Sequence, residues 1–358
     1  MRVLFLAPAS SIHTIRWVNT LANCGQDVLL VSLPDHHANN TEIDDRVRVK
    51  YLKIHGLKGY YLNCIQIKRI VKIFSPNVIN VHYASGYGTL ARISGLPNVI
   101  LNVWGSDVYD FPYESNIKMK IIKKNLDYAN KIASTSNAMA KQVQRLVGKK
   151  DIAITPFGVD VTLFRNLPSR KSGFTVVVIK TLEKKYGIDA IIKAFAIFKE
   201  KIGEMDEEIR LLIYGKGSLM KELEMLCEKL GIKKDVLFMG YVENSKIPEI
   251  YSMTDVACFG SCLNSESFGV SAVEAMACEI PVIATEVDGF LEVIDNNKTG
   301  FLVPVGDYKK MADAILKLYK DPMMRKKMGE EGRKKVLKLY DWKKNVEDML
   351  KLYRICNK

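Results

Sequence analysis

The chain has 358 residues, 48% hydrophobic and 26% charged, the composition of a folded globular protein long enough for two domains. No apolar stretch approaches the roughly 20 residues of a membrane-spanning helix, and the N-terminal apolar run, Val3 to Pro8, is too short for the core of a secretion signal. The net charge of +13 is concentrated in residues 1–168, where 21 Lys and Arg face 11 Asp and Glu, so an anionic ligand or surface is expected there.

Taken in order, VLFLA (3–7), DVLLVSL (27–33), VINVHY (78–83) and VILNVW (99–104) are near-continuous apolar runs. Such runs predict strands buried on both faces of a parallel sheet, with helices over Ile12–Cys24 and Tyr61–Phe74 between them. No acidic residue occurs between Asp45 and Asp107, while nine Lys or Arg do. Proline, glycine and polar residues cluster at Asn166–Gly173 and predict a boundary near 168. The pattern then restarts with TVVVI (175–179), a helix from Ile188, RLLIYG (210–215), a helix from Ser218, VLFMG (236–240), VACFG (256–260) and PVIAT (281–285). Two βα series predict two doubly wound α/β domains, 1–168 and 169–341. The last helix, from Trp342, has no strand after it and is expected to pack back on the first domain.

Seven cysteines without a C-x-x-C pair argue for free thiols in a reducing cytoplasm rather than a disulfide or zinc framework. The pair His36–His37 lies in a polar loop and reads as exposed rather than metal-binding. No basic–aromatic strand signature of nucleic-acid binding is present.

SESFGVSAVEAMACEIPVIAT (265–285) carries the most chemistry. A polar loop leads into a helix whose first N–H groups, at Phe268, Gly269 and Val270, form a ready anion site. Glu266 precedes the helix, and Glu274 lies about two turns into it, where carboxylates can accept hydrogen bonds from sugar hydroxyls. A capped core helix with two solvent-facing glutamates is the plain alternative.

Glu266 to Glu274 is an E-x7-E spacing, and the segment 274–307 that follows resembles glycosyltransferase family 4 almost throughout, as do PFGVD (156–160) and YGKGSL (214–219). The resemblance covers nearly the whole chain. It implies the GT-B architecture, two Rossmann-like doubly wound domains facing across a cleft, and retaining transfer of a sugar from a nucleotide diphosphate. It further implies that Glu274 holds the donor ribose, that Glu266 sits beside the transferred sugar, and that the amides of 268–270 meet its hydroxyls or the diphosphate. Gly215 falls in the family's G-x-G-x-L turn.

VVVIKTLEKKYG (176–187) stands where the family has G-R-L-x3-K-G; Lys180 and Lys185 keep the five-residue separation, displaced by one, and are expected on the diphosphate. A solvated charge run is the alternative. The loop after VLFMG puts the backbone of Tyr241 and Val242 in reach of the nucleobase. In the first domain PASSIHT (8–14) replaces the family's glycine-rich turn, with His13 expected to point into the cleft. VWGSDVY (103–109) matches the family's H-G-x-D with Trp104 in the histidine position, and Asp107 contacts substrate or caps the loop.

With no D-x-D pair, the expectation is an enzyme without metal or cofactor, in which lysines and helix amides neutralise the leaving diphosphate. UDP-sugars are the expected donors on family grounds. The basic amphipathic stretches 60–74 and 116–131 point to a saccharide or lipid-linked acceptor and to peripheral attachment on the anionic inner face of the cell membrane, in surface glycan synthesis. A non-catalytic nucleotide-sugar-binding subunit and an epimerase on the same scaffold remain open alternatives.

Overall fold

The computed structural model describes residues 1–38, 42–148, 151–168, 173–203 and 207–357. The chain divides into two compact units, Met1–Phe157 with Lys344–Lys358, and Gly158–Lys343.

The first unit runs β1 (Arg2–Leu6), α1 (Ile12–Asn23), β2 (Asp27–Ser32), β3 (Arg48–Tyr51), α2 (Gly56–Leu62), α3 (Cys64–Phe74), β4 (Val78–His82) and α4 (Gly86–Ile93). It continues with β5 (Val99–Val103), α5 (Ser106–Tyr109), α6 (Asn116–Tyr128), β6 (Lys131–Ser134), α7 (Asn137–Val147) and β7 (Ile152–Ile154). All seven strands are parallel, in the order β3-β2-β1-β4-β5-β6-β7. Every residue of β4 and β5 is buried, as expected of strands covered by helices on both faces. Local sequence sets the helix starts: Ser115 and Ser136 accept hydrogen bonds from the amides of Lys118 and Met139 and cap α6 and α7.

The second unit runs β8 (Phe174–Ile179), α8 (Ile188–Ile202), β9 (Ile209–Tyr214), α9 (Met220–Lys229), β10 (Val236–Gly240), α10 (Ile247–Ser252), β11 (Val256–Phe259) and α11 (Val270–Ala277). Then come β12 (Val282–Thr285), α12 (Asp288–Val293), β13 (Gly300–Val303), α13 (Tyr308–Lys320) and α14 (Pro322–Leu339). Its six strands are also parallel, in the order β10-β9-β8-β11-β12-β13. In each sheet the winding reverses once, between β1 and β4 and between β8 and β11. Loops leaving the carboxyl ends of those strands diverge there and open a natural crevice.

The division falls at Phe157/Gly158 rather than near residue 168, and residues 169–172 lie outside those described. The segment 158–168 belongs to the second unit because Arg333 donates to the carbonyls of Val161 (3.1 Å) and Phe164 (2.8 Å), while Val159 N bonds Tyr340 O at 2.9 Å. The final helix, α15 (Trp342–Cys356), joins the first unit from Lys344 onward. Asn345 there donates to Pro156 O (3.2 Å), and Asn80 of β4 donates to the Tyr353 hydroxyl (2.6 Å).

Candidate active site

In the second unit the loops after β8 and β11 bring Lys180 and Glu266 together, Nζ to Oε2 2.5 Å, with side chains only 18% and 12% exposed. Burial alone would lower the lysine pKa. The Glu266 carboxylate, with smaller contributions from Tyr186 and Glu274, outweighs it and holds the ammonium above its usual range. Ser261 Oγ donates to Glu266 Oε2 (3.2 Å), and the Tyr186 ring lies 4.7 Å from Lys180 Nζ. Lys185 is exposed with its ammonium 5.1 Å from the other reach of that ring.

Four residues past Glu266 the chain enters α11. Its N-cap, Gly269, has φ +75°, and a Cβ there would also lie 2.7 Å from the Phe290 ring, so glycine is required twice over. Phe268 contributes backbone alone, because its ring is core, edge-on to Tyr340. Glu274, 6% exposed, accepts a hydrogen bond from Asn244 Nδ2 (3.0 Å) in the loop after β10. That loop also carries Tyr241, 69% exposed, and Val242.

Backbone contacts hold this frame. Gly215, at φ +142°, lies against the Lys180 carbonyl, Gly289 against Glu266 O and Phe268 N, and Gly187 and Gly260 against each other. Any Cβ at these positions would strike main chain. Cys262 N also donates to Lys185 O (2.8 Å), tying the β11 loop to the β8 loop. The result is one fixed cation beside one carboxylate, a second carboxylate two turns away, and a helix N-terminus between them. Such a site can bind hydroxyls and an anionic phosphate together.

The first unit assembles an aromatic cluster at the carboxyl ends of β1, β4 and β5. His13 stacks on Phe157 (centroids 4.1 Å) and meets Trp104 edge-on (5.7 Å). Trp104 Nε1 donates to Nδ1 of His82 (2.9 Å), whose burial, with a lesser push from His13, lowers its pKa to about 3. Asp107 caps its loop, the second of the two roles expected for it. Its carboxylate, 1% exposed, accepts from the amides of Ala84 (2.8 Å), Trp104 (3.0 Å) and Gly105 (2.9 Å). Burial raises its pKa against the pull of those amides. It fixes the loop. His36 and His37 are taken up by tyrosines: Nδ1 of His36 lies 2.7 Å from the Tyr87 hydroxyl, and His37 stacks on Tyr51.

Compared with known families, residues 159–335 match the model described as "Glycosyl transferases group 1" and residues 2–136 the model "Glycosyl transferase 4-like". The chain belongs to glycosyltransferase family 4. This family 4 glycosyltransferase is 26% identical over 292 residues to the N-acetyl-alpha-D-glucosaminyl L-malate synthase of Bacillus anthracis, covering 77% of this chain and 74% of that one. In fold it is similar to the sucrose-phosphate synthase of Thermosynechococcus elongatus (TM-score 0.85, 19% identity, 99% and 98% of the two chains). It is likewise similar to Anabaena HepE, solved with UDP (TM-score 0.83, 16% identity, 98% and 99%) and with UDP-glucose. The architecture is GT-B.

Three residues of the transferase's site were not foreseen: Ser261, Asn244 and Tyr186. The first two sit in the loops after β11 and β10, and only their place at carboxyl ends of predicted strands would have marked them. Tyr186 was visible as the residue that strict alignment puts in the lysine position.

Proposed function

We propose that this glycosyltransferase binds a nucleoside diphosphate sugar, a UDP-sugar, in its second unit and transfers the sugar with retention to an acceptor held by the first. The observation that carries the reading is the Lys180–Glu266 pair beside the N-terminus of α11, with Glu274 farther along the same helix. Glu274 accepts the ribose hydroxyls and Glu266 a hydroxyl of the transferred sugar. Lys180, Lys185 and the amides of Gly269 and Val270 take up the charge that gathers on the leaving diphosphate, in place of a metal ion. Gly215 lets the Lys180 strand end approach closely, and the backbone at Tyr241–Val242 reads the base. The departing phosphate accepts the proton of the acceptor hydroxyl on the same face as attack, so catalysis is positioning and electrostatics. His13, stacked between aromatic rings, borders the acceptor.

The names of similar proteins support this reading: HepE was solved with UDP and UDP-glucose, and the B. anthracis relative is named for a glucosaminyl transfer. The acceptor is a saccharide or lipid-linked saccharide of a surface glycan, met at the cytoplasmic face of an anionic membrane. Among the described residues no helix is long and apolar enough to cross a membrane; the attachment proposed is peripheral, through the basic first unit.

The test is thermal shift and donor hydrolysis with a panel of UDP- and GDP-sugars, with and without EDTA. A shift for one UDP-sugar that survives EDTA and disappears in Glu274→Ala is the expected result. No response to any nucleotide sugar, or dependence on a divalent ion, would overturn the donor reading or its metal independence. Vesicle flotation tests the membrane: binding to anionic but not neutral vesicles, weakened by salt, is expected.

A further inference from the structure

A second cavity, of about 570 Å³, lies within the first unit between α2, α4 and the turn before α6. Tyr60, Tyr83, Tyr87 and Phe111 wall it, Pro8 and Ser85 line its inner end, and Leu57, Tyr61 and Lys118 its outer one. The inner end adjoins the crossover between β1 and β4, where this sheet's winding reverses.

The walls are built for their place. Gly86 has no Cβ because one would lie 2.5 Å from the Tyr60 ring, which packs flat on the first turn of α4. Tyr60 and Tyr87 meet edge-to-face at 5.3 Å, and burial pushes the Tyr60 phenol up to about 12. Tyr83 holds φ +76°, a left-handed conformation rare for an aromatic residue.

Several polar groups around the cavity are already engaged. The Tyr87 hydroxyl serves Ser32 Oγ (3.1 Å), Leu33 N (3.1 Å) and His36 Nδ1 (2.7 Å). The Tyr83 hydroxyl pairs with Ser106 Oγ (3.0 Å), and Thr89 Oγ1 donates to Ser85 O while accepting from Asn125 (2.8 Å). A free sugar brings several hydroxyls, each costly to bury without a partner; an apolar chain brings none. At the outer end Leu57 is 82% and Tyr61 46% exposed, beside Leu62 at 60% and Ile65 at 68%. Over residues 46–106 the chain has no acidic side chain.

We infer that this cavity is the subsite for the apolar segment of an acceptor saccharide linked to a lipid phosphate, entered past Leu57 and Tyr61, with the phosphate toward Lys118 and the basic surface. The inference rests on the glycosyltransferase reading above and names the acceptor's chemistry. Lys118 pairs with Glu114, and a phosphate would compete with that carboxylate.

The probe is dodecyl phosphate below its micelle concentration, titrated by calorimetry into the full chain. Inorganic phosphate, a dodecyl trimethylammonium salt and maltose serve as controls. One-site binding of dodecyl phosphate alone is expected, weakened about tenfold in Leu57→Ser and lost in Ser85→Phe, which fills the inner end. The thermal shift with UDP should be unchanged in both variants, since that site lies in the other unit. Dodecyl phosphate binding no tighter than inorganic phosphate, binding unaltered in Ser85→Phe, or displacement by maltose would each overturn the inference. A missing UDP response in the unmodified chain would instead defeat the donor reading, so the two failures are separable.

Discussion

The Lys180–Glu266 pair lends itself to a double-mutant cycle of Lys180→Met and Glu266→Gln. Either change alone strands a charge that is more than four-fifths buried, and breaking such a pair costs about 3–5 kcal/mol. Replacing both removes the stranded charge, and apolar or neutral substitutes of similar volume are often close to neutral in stability. The expected coupling is therefore at least about 2 kcal/mol, with melting temperatures of the single variants lower by roughly 6–20 °C for a unit of this size. The coupling also has a pH signature. Because Glu266 holds the folded-state pKa of Lys180 above the ordinary lysine value of 10.5, the attraction is fully present below that pH and is lost as pH rises through the folded value. The gap between the parent chain and Lys180→Met should be flat from pH 7 to 9 and close above about 10.5. Chemical denaturation of the four proteins supplies the measurement. Single-variant costs that add to the double within about 0.5 kcal/mol would refute the coupling. Transfer activity should stay abolished in the stable double variant, which separates the pair's chemistry from its contribution to folding.

Glu274→Ala should weaken nucleotide-sugar binding about 10- to 100-fold, the worth of a charged hydrogen bond, read by calorimetry against the unchanged first unit. Gly289→Ala would drive a Cβ into Glu266 O and Phe268 N; a loss of about 1–3 kcal/mol and of donor binding is expected in thermal melts. Because His82 is held neutral down to about pH 3, the folded first unit takes up fewer protons than the unfolded chain between pH 6.5 and 3. Its stability should therefore fall by about 2 kcal/mol between pH 7 and 5, and His82→Gln should remove that slope. Asp107→Ala should cost about 1–3 kcal/mol by leaving three amides unpaired, with activity of the remaining folded protein recovered at lower temperature; persistent inactivity of folded protein would return Asp107 to the catalytic set.

Strands sandwiched between helices were legible as apolar runs, because both faces must be hydrophobic: β1, β2, β4 and β5, then β8, β9, β11 and β12; β10 was legible as VLFMG although it is a sheet edge with Leu237 and Met239 exposed. The others left no such trace. β3 (RVKY) and β7 (IAI) are sheet edges with exposed or half-exposed faces; β6 (KIAS) has only two apolar residues in a row, and β13 (GFLV) lies inside the segment read by resemblance. In the site, Glu266, Glu274 and Lys180 were readable because their spacing is local to one helix or one strand end. That Lys180 would pair with Glu266 was not readable, since 86 positions separate them and only the β8–β11 neighbourhood joins them. Asp107 stayed ambiguous for a related reason: an aspartate that caps a loop and one that meets a ligand have the same local sequence, and its burial and three amide partners became visible only in the fold.

The glycines at 187, 215, 260 and 289 divide the candidate site into a part that can vary and a part that cannot. Main chain touches main chain at all four, so the positions of Lys180 and Glu266 are inherited from backbone contacts and not from the side chains that line the space around them. A library seeking a new donor preference should therefore keep those four glycines and Gly269. It should place its diversity at Thr181, Tyr241, Val242 and Cys262, which are exposed or half-exposed and can change size and polarity without moving that frame.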